Sequence, residues 1–176
     1  MISKDIYPET ELDLEDSLEG EDSLWEDVRS LSHSYYQARL AAFFVNQATS
    51  YLALVELSLD ISQFDLSVYH LKLKGEVRPD VCLYKARALD PLNDILKMTE
   101  VPLMVAEILS PMQPMRNFTE KFRLYFDLGV KSCWLVTPFT KSISVYYPPN
   151  KVQTFATGEL YDPILEIRLD IDKFFS

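Results

Sequence analysis

Hydrophobic and polar positions divide this chain into segments with different periods. In Val55-Glu-Leu-Ser-Leu-Asp-Ile61 apolar residues fall at every second position, which predicts a strand with one buried face. Tyr69, Leu71 and Leu73 repeat that alternation, and Gly75 turns the chain into a third strand, Arg78-Pro-Asp-Val-Cys-Leu-Tyr84, opened by Pro79. Before them, Tyr36, Leu40, Phe43, Phe44 and Gln47 recur at spacings of three and four, predicting a helix capped by Ser32 or Ser34 and running to about Ser50. Pro91 opens a short helix or loop over Asp90–Lys97. Leu103-Met-Val-Ala-Glu-Ile-Leu109 is apolar throughout except Glu107, the pattern of a central strand covered on both faces. An amphipathic helix over 117–128 is stopped by Gly129. Cys133–Val136 reads as another buried strand. Ile143–Tyr147 and Val152–Phe155 form a pair across the Pro148-Pro-Asn150 turn. Ile164, Ile167 and Leu169 predict an edge element, and Ile171–Phe175 a closing turn of helix. This order gives an α/β fold, with a mixed central sheet flanked by helices.

Length and charge refine the picture. The 176 residues, 48% hydrophobic, suit one globular domain with a sizeable core. The net charge of −10 is uneven: residues 1–27 hold 11 acidic groups and one base, Lys4, while residues 28–176 carry 16 of each sign. The expected organisation is therefore an acidic N-terminal tail over 1–27 and a single domain over 28–176. Such a tail either solubilises the chain or folds over a basic groove in competition with a polyanion. No apolar run is long enough to span a membrane, and the N-terminus has no export-signal pattern. Cys82 and Cys133 sit in apolar segments without a CxxC spacing, consistent with two reduced thiols in a cytoplasmic protein. The 4 glycines, at 20, 75, 129 and 158, exclude a glycine-rich phosphate loop. Neither GxSxG nor a zinc-ligand spacing is present.

Two acidic residues occupy costly positions. Glu107 interrupts the most buried strand, where an unpaired carboxylate would cost several kcal/mol or lose its charge. Asp80 opens a neighbouring strand. If both point to one end of the sheet, they share a proton or hold a hard divalent cation, Mg2+ or Mn2+. At 100° per residue with Phe118 at zero, Tyr125 and Leu128 fall at about −20° and −80°, and Lys121 at about −60°, inside the apolar stripe. A lysine there delivers an ammonium toward the carboxylates. A structural buried ion pair of Glu107 and Lys121, with Asp80 capping a turn, is the other reading of the same residues.

At these residues the chain resembles the restriction-endonuclease-like, or PD-(D/E)XK, nuclease superfamily, and more narrowly its Uma-type branch of bacterial endonucleases. The resemblance rests on Arg78-Pro-Asp-Val81, Val105-Ala-Glu-Ile-Leu-Ser-Pro111, Glu120-Lys-Phe-Arg-Leu-Tyr125, Gly129-Val130, Trp134-Leu-Val-Thr-Pro138 and Val145-Tyr146, in that order. It implies Asp80 and Glu107 as metal ligands and Lys121 as the catalytic lysine moved onto the helix, since position 109 is leucine. His33 sits where that family often has a histidine, and taken alone reads as a capping or packing residue. Asn117 and Thr137 stand where the branch often has aspartate.

The expectation is thus a Mg2+- or Mn2+-dependent endonuclease acting on nucleic acid, with DNA favoured over RNA. Lys72, Lys74, Arg78, Arg116 and Arg123 are candidate phosphate contacts. The alternative is a non-catalytic binding or assembly module on the same fold. In that reading the aromatic residues Tyr146, Tyr147, Phe155, Tyr161, Phe174 and Phe175 and the strand edge near 143–156 support a homodimer.

Overall fold

A computed structural model describes residues 29–176 except Met112 and Pro114; the acidic segment 1–27 lies outside the described residues. Helix α1 spans Leu31–Gln47. Strands β1 (Tyr51–Val55), β4 (Val81–Lys85), β5 (Met104–Ile108), β6 (Ser132–Thr137), β7 (Ser142–Tyr147) and β8 (Lys151–Phe155) form a six-stranded sheet in the order β1-β4-β5-β6-β7-β8. Only β5 and β6 are parallel, and α2 (Met115–Leu128) connects them. All other neighbours in this sheet run antiparallel, so the central sheet is mixed as expected. Two short hairpins complete the fold: β2 (Leu59–Asp60) with β3 (Glu76–Val77), and β9 (Glu159–Asp162) with β10 (Ile167–Asp170), which leads into α3 (Ile171–Phe174).

Strand alternation builds a separate core on each face. Val81, Leu83, Met104, Ala106, Trp134 and Val136 pack under α1 and the β9–β10 hairpin, with Leu40 and Phe44 coming down from the helix. Cys82, Tyr84, Val105, Cys133 and Leu135 face the other way, against Phe118, Phe122 and Tyr125 of α2. Cys82 pairs across to Val105, and Val105 to Cys133, so both thiols lie in one row, buried and unbonded.

Most elements follow their pattern, and the departures concentrate in the first half of the chain. Ser30 caps α1 in place of Ser32 or Ser34, accepting a hydrogen bond from the His33 backbone N–H at 3.1 Å. The predicted strand Val55–Ile61 is broken at Glu56, whose φ is 52°, so β1 ends at Val55 and β2 starts afresh at Leu59. Alternation continued because Leu57, Leu59 and Ile61 still face the α2 core; it recorded burial, not an unbroken ladder. Tyr69–Leu73 is likewise no strand: it follows a 3-10 turn at Leu66–Val68, and Leu71 and Leu73 pack without a partner strand. The expected edge element at 164–169 begins only at Ile167, after a turn in which Glu166 has a φ of 57°.

Asp162 anchors the β9–β10 hairpin to the sheet. Its fully buried carboxylate accepts bonds from Ser132 Oγ (2.6 Å) and Trp134 Nε1 (2.7 Å) with one oxygen. The other oxygen accepts the Ile164 and Leu165 backbone N–H groups at 2.8 and 3.2 Å. Asp162→Ala strands all four donors, and we expect urea denaturation to show a loss of about 3 kcal/mol.

The expected self-association patch does not survive folding intact. Phe174 and Phe175 are buried against Tyr36, and Tyr146 packs on Phe122 with ring centroids 5.0 Å apart. Among the described residues no helix is long and apolar enough to cross a membrane.

Candidate active site

The pairing of β4 with β5 brings the two costly carboxylates together. Val81 lies opposite Ala106, so the next step of the register sets Asp80 beside Glu107. Both are 2% exposed. Glu107 shares the strand face of Val105, which looks toward α2, and there the helix meets it twice. Lys121 Nζ donates to Glu107 Oε2 at 3.0 Å, and Tyr125 OH donates to Oε1 at 2.7 Å. Lys121 and Tyr125 are four residues apart and therefore share one helical face. The three residues singled out in the sequence, Asp80, Glu107 and Lys121, thus meet in one place.

Asp80 is held from three sides. Its Oδ2 accepts the Ile108 backbone N–H at 2.6 Å and faces His33 Nε2 at 2.9 Å. Arg29 Nη2 stands 3.8 Å from Oδ1, and Gln37 Nε2 donates to the Asp80 carbonyl at 2.9 Å. The same Gln37 nitrogen lies 3.0 Å from Glu56 Oε1, and Arg29 reaches Glu56 Oε2 at 3.5 Å. The strand break at Glu56 therefore belongs to the site: its turned-out backbone N–H bonds the Asp80 carbonyl at 3.3 Å.

Electrostatics follow from burial. Desolvation lifts the Glu107 carboxyl above the ordinary carboxylate range, and the charge of Asp80 adds to it, against the pull of Lys121 and Tyr125. For Lys121, burial alone would favour the neutral amine. Glu107, with Asp80 behind it, outweighs burial and holds the ammonium's pKa above its ordinary value. Burial, and then Glu107, push the Tyr125 hydroxyl well above the usual phenol range, so Tyr125 serves as a neutral donor.

A cleft of about 710 Å³ opens beside this cluster; Arg29, Glu56 and Lys121 line it, whereas Asp80 and Glu107 are not among its lining residues. One wall is the strandless segment from His70 to Leu73 with Val77 and Arg78; the other is Gln113 with Asn117, Phe118 and Lys121 of α2. Of the expected phosphate contacts, Lys72 and Arg78 line it. Lys74 and Arg116 are not among its lining residues. Nor is Arg123, whose guanidinium stacks over Tyr69 at 5.4 Å.

His33, Arg29, Gln37 and Tyr125 complete the cluster beyond the three expected residues. Tyr125 was findable, lying on the apolar stripe one turn beyond Lys121. Arg29 and Gln37 carry no pattern in the sequence, because they act across the chain on a residue some fifty positions away.

The two carboxylates form an all-oxygen donor set: Asp80 Oδ2 already accepts two hydrogen bonds, while Asp80 Oδ1 and both Glu107 oxygens keep a lone pair beyond theirs. Among the described residues no three His, Cys, Asp or Glu side chains gather as a metal-binding group. Two carboxylates fit an ion that retains several waters, as Mg2+ does. They do not fit a tightly enclosed nitrogen or sulfur site of the zinc type.

The α/β fold thus carries paired carboxylates and a helix-borne lysine at one end of a mixed sheet. The family model described as "Uma2: Putative restriction endonuclease" matches residues 11–172, and the chain belongs to this family. Among solved structures, a "putative nuclease belonging to DUF820" from Anabaena variabilis ATCC 29413 superimposes with a TM-score of 0.66 at 19% identity. That alignment covers 84% of this chain and 82% of the other, and it shows a shared fold. A search of curated proteins finds no match.

Proposed function

We propose that the chain is a divalent-metal-dependent endonuclease that hydrolyses phosphodiester bonds of nucleic acid, with DNA as its substrate. The observation that carries this reading is the side-by-side burial of Asp80 and Glu107 with Lys121 Nζ 3.0 Å from the second carboxylate. Asp80 and Glu107 would hold Mg2+ or Mn2+. Such an ion supplies Lewis acidity to a phosphoryl oxygen and lowers the pKa of water. Lys121, fixed by Glu107, orients the attacking water and offsets negative charge that builds on the phosphate. Water adds to phosphorus as the bond to the leaving sugar oxygen breaks; the water's proton passes to solvent, and the leaving oxygen takes up a proton from solvent to become the sugar hydroxyl. Tyr125 keeps Glu107 from turning away, and Lys72 and Arg78 in the cleft wall hold flanking phosphates.

Incubation of the purified chain with DNA and RNA in Mg2+, Mn2+ or EDTA tests the reading. Cleavage of DNA only with metal is expected; cleavage that persists in Glu107→Ala would defeat the residue assignment. Absence of Mn2+ binding heat in calorimetry would favour the non-catalytic module.

Charge in the cleft adds a second expectation. The cleft-lining cations Arg29, Lys72, Arg78 and Lys121 are matched by the lining carboxylates Glu56 and Glu76 and by Asp80 and Glu107, which pair with Arg29 and Lys121. Without a divalent ion the cleft has no excess positive charge to attract a polyanion. Fluorescence anisotropy with hydrolysis-resistant phosphorothioate DNA should show binding about tenfold tighter or more in Mg2+ than in EDTA. Equal affinity in both would rule out this coupling.

A further inference from the structure

We propose that His33 is a positioning residue that ties down Oδ2 of Asp80 and leaves Oδ1 as the oxygen open to a metal ion. The proposal rests on the reading of Asp80 as a metal ligand and adds a side chain that the reading leaves unused. His33 is fully buried, on the first turn of α1. Its Nε2 and the Ile108 backbone N–H converge on the same oxygen, Asp80 Oδ2, at 2.9 and 2.6 Å. The two donors come from different elements on either side of the carboxylate, so rotating Asp80 about its last bond breaks both contacts at once. Oδ1 is the oxygen that takes neither of these bonds; Arg29 Nη2 stands 3.8 Å from it.

The imidazole is itself held in place. A carboxylate accepts hydrogen bonds, so the ring proton belongs on Nε2. Among the described residues Nδ1 is buried without a partner, and a proton placed there would be a stranded donor. The Nε2–H tautomer is therefore the one this site selects. The His33 backbone N–H bonds the capping hydroxyl of Ser30 at 3.1 Å, so the ring rides on a fixed turn. A side chain that served only to fill the core would need neither the donor nor its direction.

The test compares His33→Gln, whose amide nitrogen can reach the Nε2 position, with His33→Leu, which fills space without a donor. Mn2+ binding to the full chain is measured by calorimetry, and thermal midpoints are recorded in EDTA. His33→Leu is expected to weaken Mn2+ binding by about 10- to 100-fold, and His33→Gln by no more than about threefold. A purely packing role predicts the same Mn2+ affinity in every folded variant, and that result overturns the proposal. Should His33→Leu not fold, His33→Asn takes its place, because its shorter amide cannot reach Oδ2 and should bind Mn2+ as weakly. Nitrogen-15 shifts of the wild-type ring give an independent readout: a proton on Nδ1 in place of Nε2 also overturns the proposal. If the wild-type chain itself shows no Mn2+ heat, the metal reading has failed and this role falls with it. If the wild type binds and His33→Leu binds equally, only the role of His33 is lost.

Discussion

Glu107→Gln should abolish metal-dependent cleavage while leaving the metal-free protein at least as stable as wild type at neutral pH. Both effects come from removing one charge. Loss of a ligand carboxylate takes away the electrostatic stabilisation on which hydrolysis depends, a fall of about 10³-fold or more. The folded protein, by contrast, is relieved of a carboxylate that burial disfavours. Glutamine can keep both contacts: its oxygen accepts from Lys121, and its nitrogen donates to the Tyr125 hydroxyl in reversed polarity. Linkage fixes the sign of the pH effect. Because folding raises the Glu107 pKa, the folded chain binds more proton above the ordinary value of 4.5, and this group's contribution falls as pH climbs through the raised value. Thermal midpoints in EDTA should therefore decline less steeply above pH 4.5 in Glu107→Gln than in wild type. A variant that melts earlier at every pH would show that the carboxylate is a net stabiliser.

Lys121→Met should do the reverse, costing stability as well as activity. Methionine keeps most of the side-chain volume over Phe118 but leaves Glu107 buried without its cation. Breaking such a pair costs about 3 kcal/mol or more when fully buried; at 22% exposure for the lysine, about 2 kcal/mol is expected by urea denaturation. Cleavage should fall by about 10²- to 10³-fold. Adding Glu107→Gln to Lys121→Met should recover most of the lost stability and none of the activity. Equal losses in the single and double variants would mean that the lysine acts by packing and not by pairing.

How far the sequence revealed this arrangement depends on where each signal is stored. β5, α2 and β6 were legible because continuous apolar runs and a clean 3.6-residue stripe have few other interpretations. Glu107 and Lys121 stood out against those patterns as charges in apolar positions, and Asp80 through the Pro79 before it. The region from Glu56 to Arg78 was not legible. Its alternation came from side chains packing beneath α2, whereas the backbone bends at Glu56, pairs briefly as β2, and has no partner strand at Tyr69–Leu73. That bend directs the Glu56 N–H to the Asp80 carbonyl, and the unpaired stretch forms a cleft wall. Local pattern failed where the chain had given up ladder hydrogen bonds to shape the site. Arg29 was hidden for a different reason, and His33 was noticed only through the family resemblance: their partner is Asp80, and nothing near them in the chain records it.

The row of Cys82, Val105 and Cys133 sets the redox chemistry of the whole domain. Two strand spacings separate the sulfur-bearing residues, about 10 Å between α-carbons, and a disulfide tolerates no more than about 7 Å. Val105 stands between them as a spacer. Burial also lifts Cys82 to about 12 and Cys133 well above the usual thiol range, so neither offers a nucleophilic thiolate. An oxidising medium would leave the folded sheet with the same two thiols as a reducing one, because the geometry of three strands, and not the surroundings, keeps them apart.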